Sequence, residues 1–198
     1  MGVPIIQSPQ DTVALQEIVY KTRPNLIIET GIAHGGSLIL SSSLLKLNDI
    51  EGKVVGVDIE IKPENREAII NHPLASRIEL IKGSSTDEET ISQVKSHVYT
   101  DSKVMVVLDS NHTHEHVLAE LALYSPLVSK GCYLVVMDTV IEDMPSDFFP
   151  NRPWGVGNSP KTAVHEFLKT NDRFEIDSDI HNKLLLTVAP DGYLKCIK

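Results

Sequence analysis

Residues 26–36 read Leu-Ile-Ile-Glu-Thr-Gly-Ile-Ala-His-Gly-Gly, a short apolar run that ends in an acid and a glycine-rich turn. Similar runs occupy residues 53–58, 103–109 and 132–138, and each of them ends in aspartate. Apolar runs this short are typical of parallel strands that are buried on both faces of a sheet. The stretch 26–36 therefore predicts the first strand and the first turn of an α/β fold.

Helical segments are expected between these strands. The pairs Ser8-Pro9 and Ser159-Pro160 each place an N-cap residue before a proline, which is favoured in the first turn of a helix. Three further strands are expected at residues 77–81, 174–177 and 183–188. This alternation predicts a Rossmann-like, doubly wound α/β fold with a mostly parallel seven-stranded sheet. The last two strands have no helix between them, which predicts an antiparallel edge hairpin, and residues 1–198 are expected to form one domain.

The composition is that of an ordinary globular protein, with 41% hydrophobic and 23% charged residues. A formal net charge of -9 without a Lys/Arg cluster argues against nucleic-acid binding. No apolar run is long enough to span a bilayer, and residues 1–4 lack the basic start of a signal peptide. Two cysteines are too few for a disulfide framework. We therefore expect a cytoplasmic protein that acts on a small molecule, and a homo-oligomer is compatible with the sequence.

The turn after the first strand does not match a dinucleotide-binding fingerprint. Ala33 replaces the middle glycine of that pattern, and Glu29 precedes Gly31, where it would repel a pyrophosphate. An acid at this position suits a cationic ligand, and Asp58 at the end of the second strand suits ribose hydroxyls. S-adenosylmethionine (SAM) carries an ammonium, a sulfonium and a ribose, so it satisfies both acids. The alternative is that the glycines only make a tight turn and that Glu29 caps a helix.

Several stretches of the chain resemble a known family. The runs 29–37 (ETGIAHGGS), 55–60 (VGVDIE) and 83–87 (GSSTD) resemble class I SAM-dependent methyltransferases of the catechol O-methyltransferase type. More narrowly, the chain resembles the cephalosporin hydroxylase/rhamnosyl O-methyltransferase family, in the runs 6–11 (IQSPQD), 108–112 (LDSNH), 158–168 (NSPKTAVHEFL) and 182–194 (NKLLLTVAPDGYL). This resemblance implies transfer of a methyl group to a hydroxyl of a sugar or natural product.

The resemblance also implies roles for individual residues. It places the cofactor at Glu29, Gly31, Asp58, Ser85 and Asp87, and a divalent metal at Asp109 and Asp138. The neighbouring turn residues Ala33, His34, Gly35 and Ser37, together with Asp109, are expected to contact the cofactor as well.

The metal prediction has partial support from the residues alone. Asp109 and Asp138 end adjacent predicted strands, and Mg²⁺ is commonly held by one or two carboxylates together with water and substrate oxygens. Relatives tend to carry a further oxygen ligand beside the second aspartate, whereas this chain has Met137 and Thr139. Thr139, water or the more distant Glu142 are the options for that ligand. Alternatively, both aspartates only cap the segments that follow them.

Three histidines follow the fourth predicted strand. His112 lies three residues after Asp109, and we predict that it is the general base that deprotonates the acceptor hydroxyl, with metal ligation as its alternative role. The series His112, His114 and His116 also resembles the pattern of zinc hydrolases, so a metal-dependent hydrolase is the alternative enzyme. We expect His114 and His116 to lie on a solvated helix face.

The segment 139–158 is predicted to be irregular. Arg152 and Trp154 are expected either to form a lid over the acceptor or to anchor the segment by packing.

There are two further alternatives for the function. A nicotinamide-dependent oxidoreductase is disfavoured by Glu29 and Ala33, and a non-catalytic module that only binds the cofactor is the remaining alternative.

Overall fold

A computed structural model describes residues 1–198 and contains one seven-stranded sheet, in the order β3-β2-β1-β4-β5-β7-β6. The strands are β1 (Leu26–Thr30), β2 (Lys53–Asp58), β3 (Ile78–Lys82), β4 (Val104–Leu108), β5 (Tyr133–Val136), β6 (Phe174–Ile176) and β7 (Tyr193–Cys196). Strands β1 to β5 pair in parallel, whereas β7 is antiparallel to both β5 and β6. The predicted Rossmann-like α/β fold with an antiparallel edge is confirmed.

Seven helices connect and cover the strands. They are α1 (Pro9–Thr22), α2 (Gly36–Leu47), α3 (Pro63–Ile70), α4 (Glu88–Ser96), α5 (His114–Tyr124), α6 (Pro160–Thr170) and α7 (Ser178–Leu184). Two hydrophobic clusters, one of 23 and one of 22 buried residues, divide the inward-facing side chains of the central strands between them. Both faces of the sheet are therefore covered, which explains the nearly continuous apolar runs of β1 and β4. None of the helices is long and apolar enough to cross a membrane.

The register of the parallel strands determines where their polar ends meet. Thr30, the last residue of β1, is opposite Val57 of β2 and Leu108 of β4. The residues that follow β1, β2 and β4 consequently emerge at one edge of the sheet. Because β5 pairs with β4 in the same direction, its carboxyl end lies at this edge too.

The prediction of a strand at residues 183–188 is wrong. Helix α7 occupies the start of this stretch, and the last strand of the chain is Tyr193–Cys196. The buried carboxylate of Asp11 explains part of the difference, because it accepts hydrogen bonds from the backbone N–H of Val188 at 3.0 Å and from Tyr193 Oη at 2.6 Å. A side chain of α1 thus takes a backbone N–H that a strand would have used in the sheet. The antiparallel edge still forms, with α7 between its two strands.

Candidate functional site

A cleft of about 700 Å³ opens at the carboxyl ends of β1 to β5. Its walls come from the turn after β1, the ends of β2, β4 and β5, the loop after β3, the N-terminal residues 4–7 and the segment around Trp154. This edge is the usual ligand-binding place in a doubly wound sheet. The volume is within the range of pockets that hold cofactors and small substrates.

The turn after β1 brings the backbone close to the end of β4. Gly31 has a φ of +84°, and a Cβ added there would lie 1.9 Å from the carbonyl oxygen of Asp109. Gly35 has a φ of +90°, and its added Cβ would meet Cδ1 of Ile69 at 2.4 Å. Ala33 also has a positive φ, 46°, which costs an L-residue about 1 kcal/mol. The two glycines are therefore required by contacts within the protein, with the end of β4 and with α3, and the alanine does not prevent the turn from forming.

Glu29 lies under this turn, near the end of β1. Its side chain is 1% exposed, and its carboxylate accepts a hydrogen bond from the Ser37 hydroxyl of α2. Burial raises the pKa of Glu29 from 4.5 to about 7, and the Ser37 hydrogen bond only partly opposes this effect. Ser37 lines the cleft, whereas Glu29 lies beneath it and reaches the cleft only through this hydroxyl.

Asp58 is held in a fixed orientation at the end of β2. Its Oδ2 accepts the backbone N–H of Ile32 at 2.8 Å, and its Oδ1 accepts that of Glu60 at 2.9 Å. Each carboxylate oxygen has a further lone pair, and Asp58 lines the cleft. The arrangement suits an acceptor of hydrogen bonds from a pair of hydroxyl groups.

A partly buried polar network joins the loop after β3 to the loop after β4. His116 Nε2 lies 3.0 Å from Ser85 Oγ and 3.2 Å from Ser110 Oγ, and Ser110 donates to Glu120 Oε1 at 2.7 Å. Tyr124 Oη donates to the carbonyl oxygen of Ser85 at 3.0 Å. These contacts fix Ser85 on the cleft wall. The sequence did not reveal the network, although an acid inside the apolar helix α5, Glu120, was a signal that could have indicated it.

Asp109, His112 and Asp138 form the only group of three metal-ligating side chains in the structure. Their ligand atoms lie within 4.8 Å of one another, and His112 Nε2 is 3.2 Å from Asp138 Oδ2. All three side chains are partly buried and line the cleft. The predicted pair of aspartates is thus brought together, with a histidine as the third donor.

The charges of this group are unfavourable without a cation. Burial raises the pKa of Asp109 well above its usual range, and the nearby carboxylate of Asp138 raises it further. Burial also raises the pKa of Asp138, while His112 opposes that effect. A divalent cation would relieve the repulsion, and two carboxylates with one imidazole are an oxygen-rich donor set that such a cation accepts. The residues present therefore fit a metal ion.

Gln7 is a further polar group at the site. Both its Oε1 and its Nε2 are buried without a partner at full hydrogen-bonding geometry, although the amide is close enough to Asp109 to lower the pKa of that carboxyl, and the side chain lines the cleft. Buried amide groups without partners are uncommon and costly. Gln7 therefore fits a wall that is completed by a bound ligand. No role was predicted for Gln7, although it lies in the run 6–11 that resembles the family.

Trp154 and Arg152 stand at the mouth of the cleft, over the histidine. The ring of Trp154 meets that of His112 edge-on, with centroids 4.9 Å apart and an interplanar angle of 86°. The Arg152 guanidinium lies 5.1 Å from the centre of the Trp154 ring. The segment thus covers the predicted base, as a lid would, and the Trp154 ring packs on it.

Thr139 does not join the metal-ligating group, so its prediction as a ligand is corrected. The residue is fully buried, and its hydroxyl donates to the carbonyl oxygen of Pro190 at 2.6 Å. Glu142 is also committed elsewhere, because its carboxylate accepts the Gly157 N–H at 2.9 Å and the Ser159 hydroxyl at 2.6 Å. His112, and neither of these two side chains, lies beside Asp109 and Asp138.

Asp87 is a second correction. It is the N-cap residue of α4, exposed to solvent, and does not line the cleft. Its position next to a helix N-terminus explains the acid there without a ligand.

The predicted cofactor residues in the turn after β1 fall into two groups. Ala33 and His34 line the cleft, whereas Gly35 lies behind it against Ile69.

The three histidines do not converge on one point. His114 faces α6, where its Nδ1 lies 2.8 Å from Thr162 Oγ1 and its Nε2 lies 3.3 Å from Glu166 Oε2. His116 belongs to the network around Ser85. Contrary to the expectation, neither the His114 nor the His116 side chain extends freely into solvent. The zinc-hydrolase arrangement is therefore not formed.

The chain is similar to several known proteins. A family model described as rhamnosyl O-methyltransferase/CmcI matches residues 1–197. The rhamnosyl O-methyltransferase of Mycobacterium tuberculosis is 33% identical over 202 residues, which cover 98% of this chain and 76% of the relative. Apo CmcI superposes with a TM-score of 0.66 at 18% identity, covering 98% of this chain and 73% of CmcI. CmcI with Mg and SAM gives 0.64 at 20% identity, covering 98% and 74%.

Proposed function

Because the chain belongs to the rhamnosyl O-methyltransferase/CmcI family, we propose that it transfers a methyl group from SAM to a hydroxyl of a sugar or natural product, with Mg²⁺ assistance. One observation carries the proposal. The turn after β1, with Asp58 beside it, and the group Asp109, His112 and Asp138 are two walls of the same cleft. A donor and an acceptor can therefore be held side by side.

The cofactor side of the cleft is proposed to consist of the turn after β1 and the ends of β2 and β3. Asp58 would accept hydrogen bonds from the ribose hydroxyls, and Glu29 with Ser37 would neutralise the ammonium. Ser85 would form the boundary of the site at the adenine end of the cofactor, because its hydrogen bond with His116 fixes it there. When bound, SAM supplies a methyl group activated by the sulfonium. The backbone at Gly31 permits close approach to the acceptor side.

The acceptor side is proposed to be built on β4 and β5. Asp109 and Asp138 would hold the cation, which supplies positive charge that stabilises a deprotonated hydroxyl. His112 is the general base in this proposal. Burial lowers its pKa, although the neighbouring Asp138 opposes this effect, and a neutral imidazole ring has a nitrogen that can accept a proton. Trp154 packs against the ring and limits its rotation.

Positioning is the main contribution that these residues make. Methyl transfer requires the acceptor oxygen, the methyl carbon and the leaving sulfur to lie in line, and holding reactants in that geometry supplies much of the rate. Trp154 and Arg152 also shield the mouth of the cleft from water. Residues 1–198 are proposed to act as one catalytic domain. The free, buried Cys132 and Cys196 support a reducing compartment such as the cytoplasm.

The proposal is tested by incubating the protein with methyl-labelled SAM and a panel of hydroxylated sugars and phenols. We expect label in the acceptor with Mg²⁺ and a strong reduction with excess chelator. An Asp58→Ala variant should lose activity, while the matched Asp87→Ala variant, which changes an exposed acid outside the cleft, should keep it. Full activity in chelator would reject the metal part of the proposal. Binding of SAM by a protein that methylates nothing in the panel would favour the non-catalytic module.

A further inference from the structure

Arg152 is the only lysine or arginine that lines the cleft. The same walls carry three aspartates, and the whole chain has a net charge of -9. None of these aspartates pairs with Arg152. Its guanidinium makes no hydrogen bond or ion pair. The guanidinium carbon lies over the face of the Trp154 ring, 5.1 Å from the ring centre. An arginine in this setting has donors available for a ligand.

The loop that carries Arg152 and Trp154 is held in place by hydrogen bonds. Asn158 Nδ2 donates to the carbonyl oxygen of Pro153 at 2.7 Å, and Asn158 Oδ1 accepts the backbone N–H of His114 at 2.9 Å. Glu142 adds its hydrogen bond from the Gly157 N–H at 2.9 Å. These contacts attach the loop to α5 and to the segment after β5. The backbone that carries the tryptophan and the arginine is therefore held by contacts within the chain.

The position of this pair points to the acceptor rather than to the cofactor. Trp154 contacts His112, and His112 contacts Asp138 at the end of β5. The proposed cofactor residues lie at the ends of β1, β2 and β3, on the other side of the cleft. A group bound at Arg152 is thus attached to the molecule whose hydroxyl reaches His112.

We propose that Arg152 and Trp154 form a subsite that selects acceptors in which the methylated hydroxyl belongs to a ring and an anionic group, a carboxylate or a phosphate, lies nearby. This inference rests on the proposed function and specifies its substrate class. The Trp154 ring packs against the acceptor ring, since aromatic faces are common partners of sugar and phenol rings. The Arg152 fork donates to two oxygens of the anion, as guanidinium groups do with carboxylates and phosphates.

The test uses Trp154 as its own reporter, because it is the only tryptophan in the chain. Phenyl glucuronide and phenyl glucoside form a matched pair of probes, identical except that a carboxylate replaces a hydroxymethyl group. Tryptophan fluorescence is titrated with each probe in the presence of S-adenosylhomocysteine and Mg²⁺. We expect the glucuronide to bind about tenfold more tightly at low ionic strength, and we expect this preference to shrink in high salt.

Variants identify the residue responsible. Arg152→Gln should abolish the preference for the glucuronide, and Arg152→Lys should keep part of it, since lysine retains the charge but not the planar fork. Arg66→Gln is the control, because Arg66 is an exposed arginine of α3 outside the cleft and its loss changes the net charge equally. The preference should persist in that variant.

Three outcomes would overturn the inference. They are equal binding of both probes to the wild type, an equal loss of preference in the Arg66→Gln control, and a loss of SAM affinity in Arg152→Gln that matches the loss of glucuronide affinity. The last outcome would assign the guanidinium to the cofactor carboxylate. Failure of the proposed function looks different, because the wild-type protein would then not bind SAM in a calorimetric titration.

Discussion

A methyl group on the α-carbon of Gly31 would lie 1.9 Å from the backbone carbonyl oxygen of Asp109. The glycine belongs to the turn after β1, and the aspartate belongs to the metal-ligating group after β4. The proposed cofactor turn and the proposed metal site therefore touch through their backbones, with no side chain between them. Methyl transfer between two bound molecules requires such proximity.

This contact predicts a large effect of Gly31→Ala. The new methyl group would collide with Asp109, and the positive φ of +84° adds strain for any L-residue. We expect a loss of roughly 2–4 kcal/mol of unfolding free energy, measured by urea denaturation. Gly155→Ala is the control, because nothing lies within 4 Å of a Cβ at that position. Equal urea midpoints for the two variants would contradict the close approach.

Asp58 is predicted to be a major determinant of cofactor affinity. Asp58→Ala removes a carboxylate that the backbone holds towards the cleft, and hydrogen bonds to charged groups contribute roughly 1.5–3 kcal/mol. Calorimetry should show SAM binding weakened by about 10- to 150-fold. Asp87→Ala should bind SAM as the wild type does. Similar affinities for all three proteins would remove Asp58 from the cofactor site.

Burial of Glu29 predicts a specific pH dependence of stability. Its folded-state pKa of about 7 lies above its usual value of 4.5, so the folded protein binds the proton more tightly than the unfolded chain. Stability from this group is therefore fully present below pH 4.5 and is lost as the pH rises to 7, by roughly 3 kcal/mol. Glu29→Gln keeps an acceptor for Ser37 without the charge. Unfolding free energies of wild type and variant should converge at low pH and separate above neutrality, and parallel pH profiles would contradict the burial effect.

The metal-ligating group predicts different effects for two adjacent residues. Asp138→Asn should weaken Mg²⁺ or Mn²⁺ binding by more than about tenfold, since it removes one of two carboxylate ligands. Thr139→Val should leave metal affinity unchanged and cost about 1–2 kcal/mol of stability, because the Pro190 carbonyl loses its buried partner. Metal titrations by calorimetry and urea denaturation measure these quantities. Loss of metal affinity in Thr139→Val would restore the threonine as a ligand.

His112 and His114 are predicted to differ in kind. His112→Ala should lower kcat by about 10²- to 10⁴-fold with SAM affinity intact, because a general base is removed. His114→Ala should mainly reduce stability, since this side chain joins α5 to Thr162 and Glu166 of α6. Steady-state kinetics and thermal unfolding separate the two effects. A wild-type kcat in His112→Ala would assign proton removal to another group.

Much of the fold was predictable because local patterns and tertiary structure agree. The central strand β4 is a continuous apolar run bounded by polar residues, which is the pattern of a strand that is buried on both faces of a sheet. The stretch after Ile176 was misread because Leu184, Leu185 and Leu186 look like a strand. Leu185 and Leu186 are in fact exposed, 82% and 69%, so the run does not report burial.

The cleft lining was predictable at the strand ends. The parallel register brings Asp58, Asp109 and Asp138 to one edge, where they line the cleft, whereas Glu29 lies within β1 and is buried beneath it. The contribution of Gln7 and the pairing of Ser85 with His116 were not predictable. The pairing of Ser85 with His116 joins side chains that are 31 residues apart. The contribution of Gln7 depends on the path of the N-terminal segment.

Calorimetric titration with SAM measures cofactor binding without any knowledge of the acceptor. The proposed cofactor site predicts saturable 1:1 binding of SAM that S-adenosylhomocysteine competes for, that Asp58→Ala weakens by about tenfold or more, and that NAD does not reproduce. Absence of SAM binding by the folded wild-type protein, or binding that Asp58→Ala leaves unchanged, would contradict it.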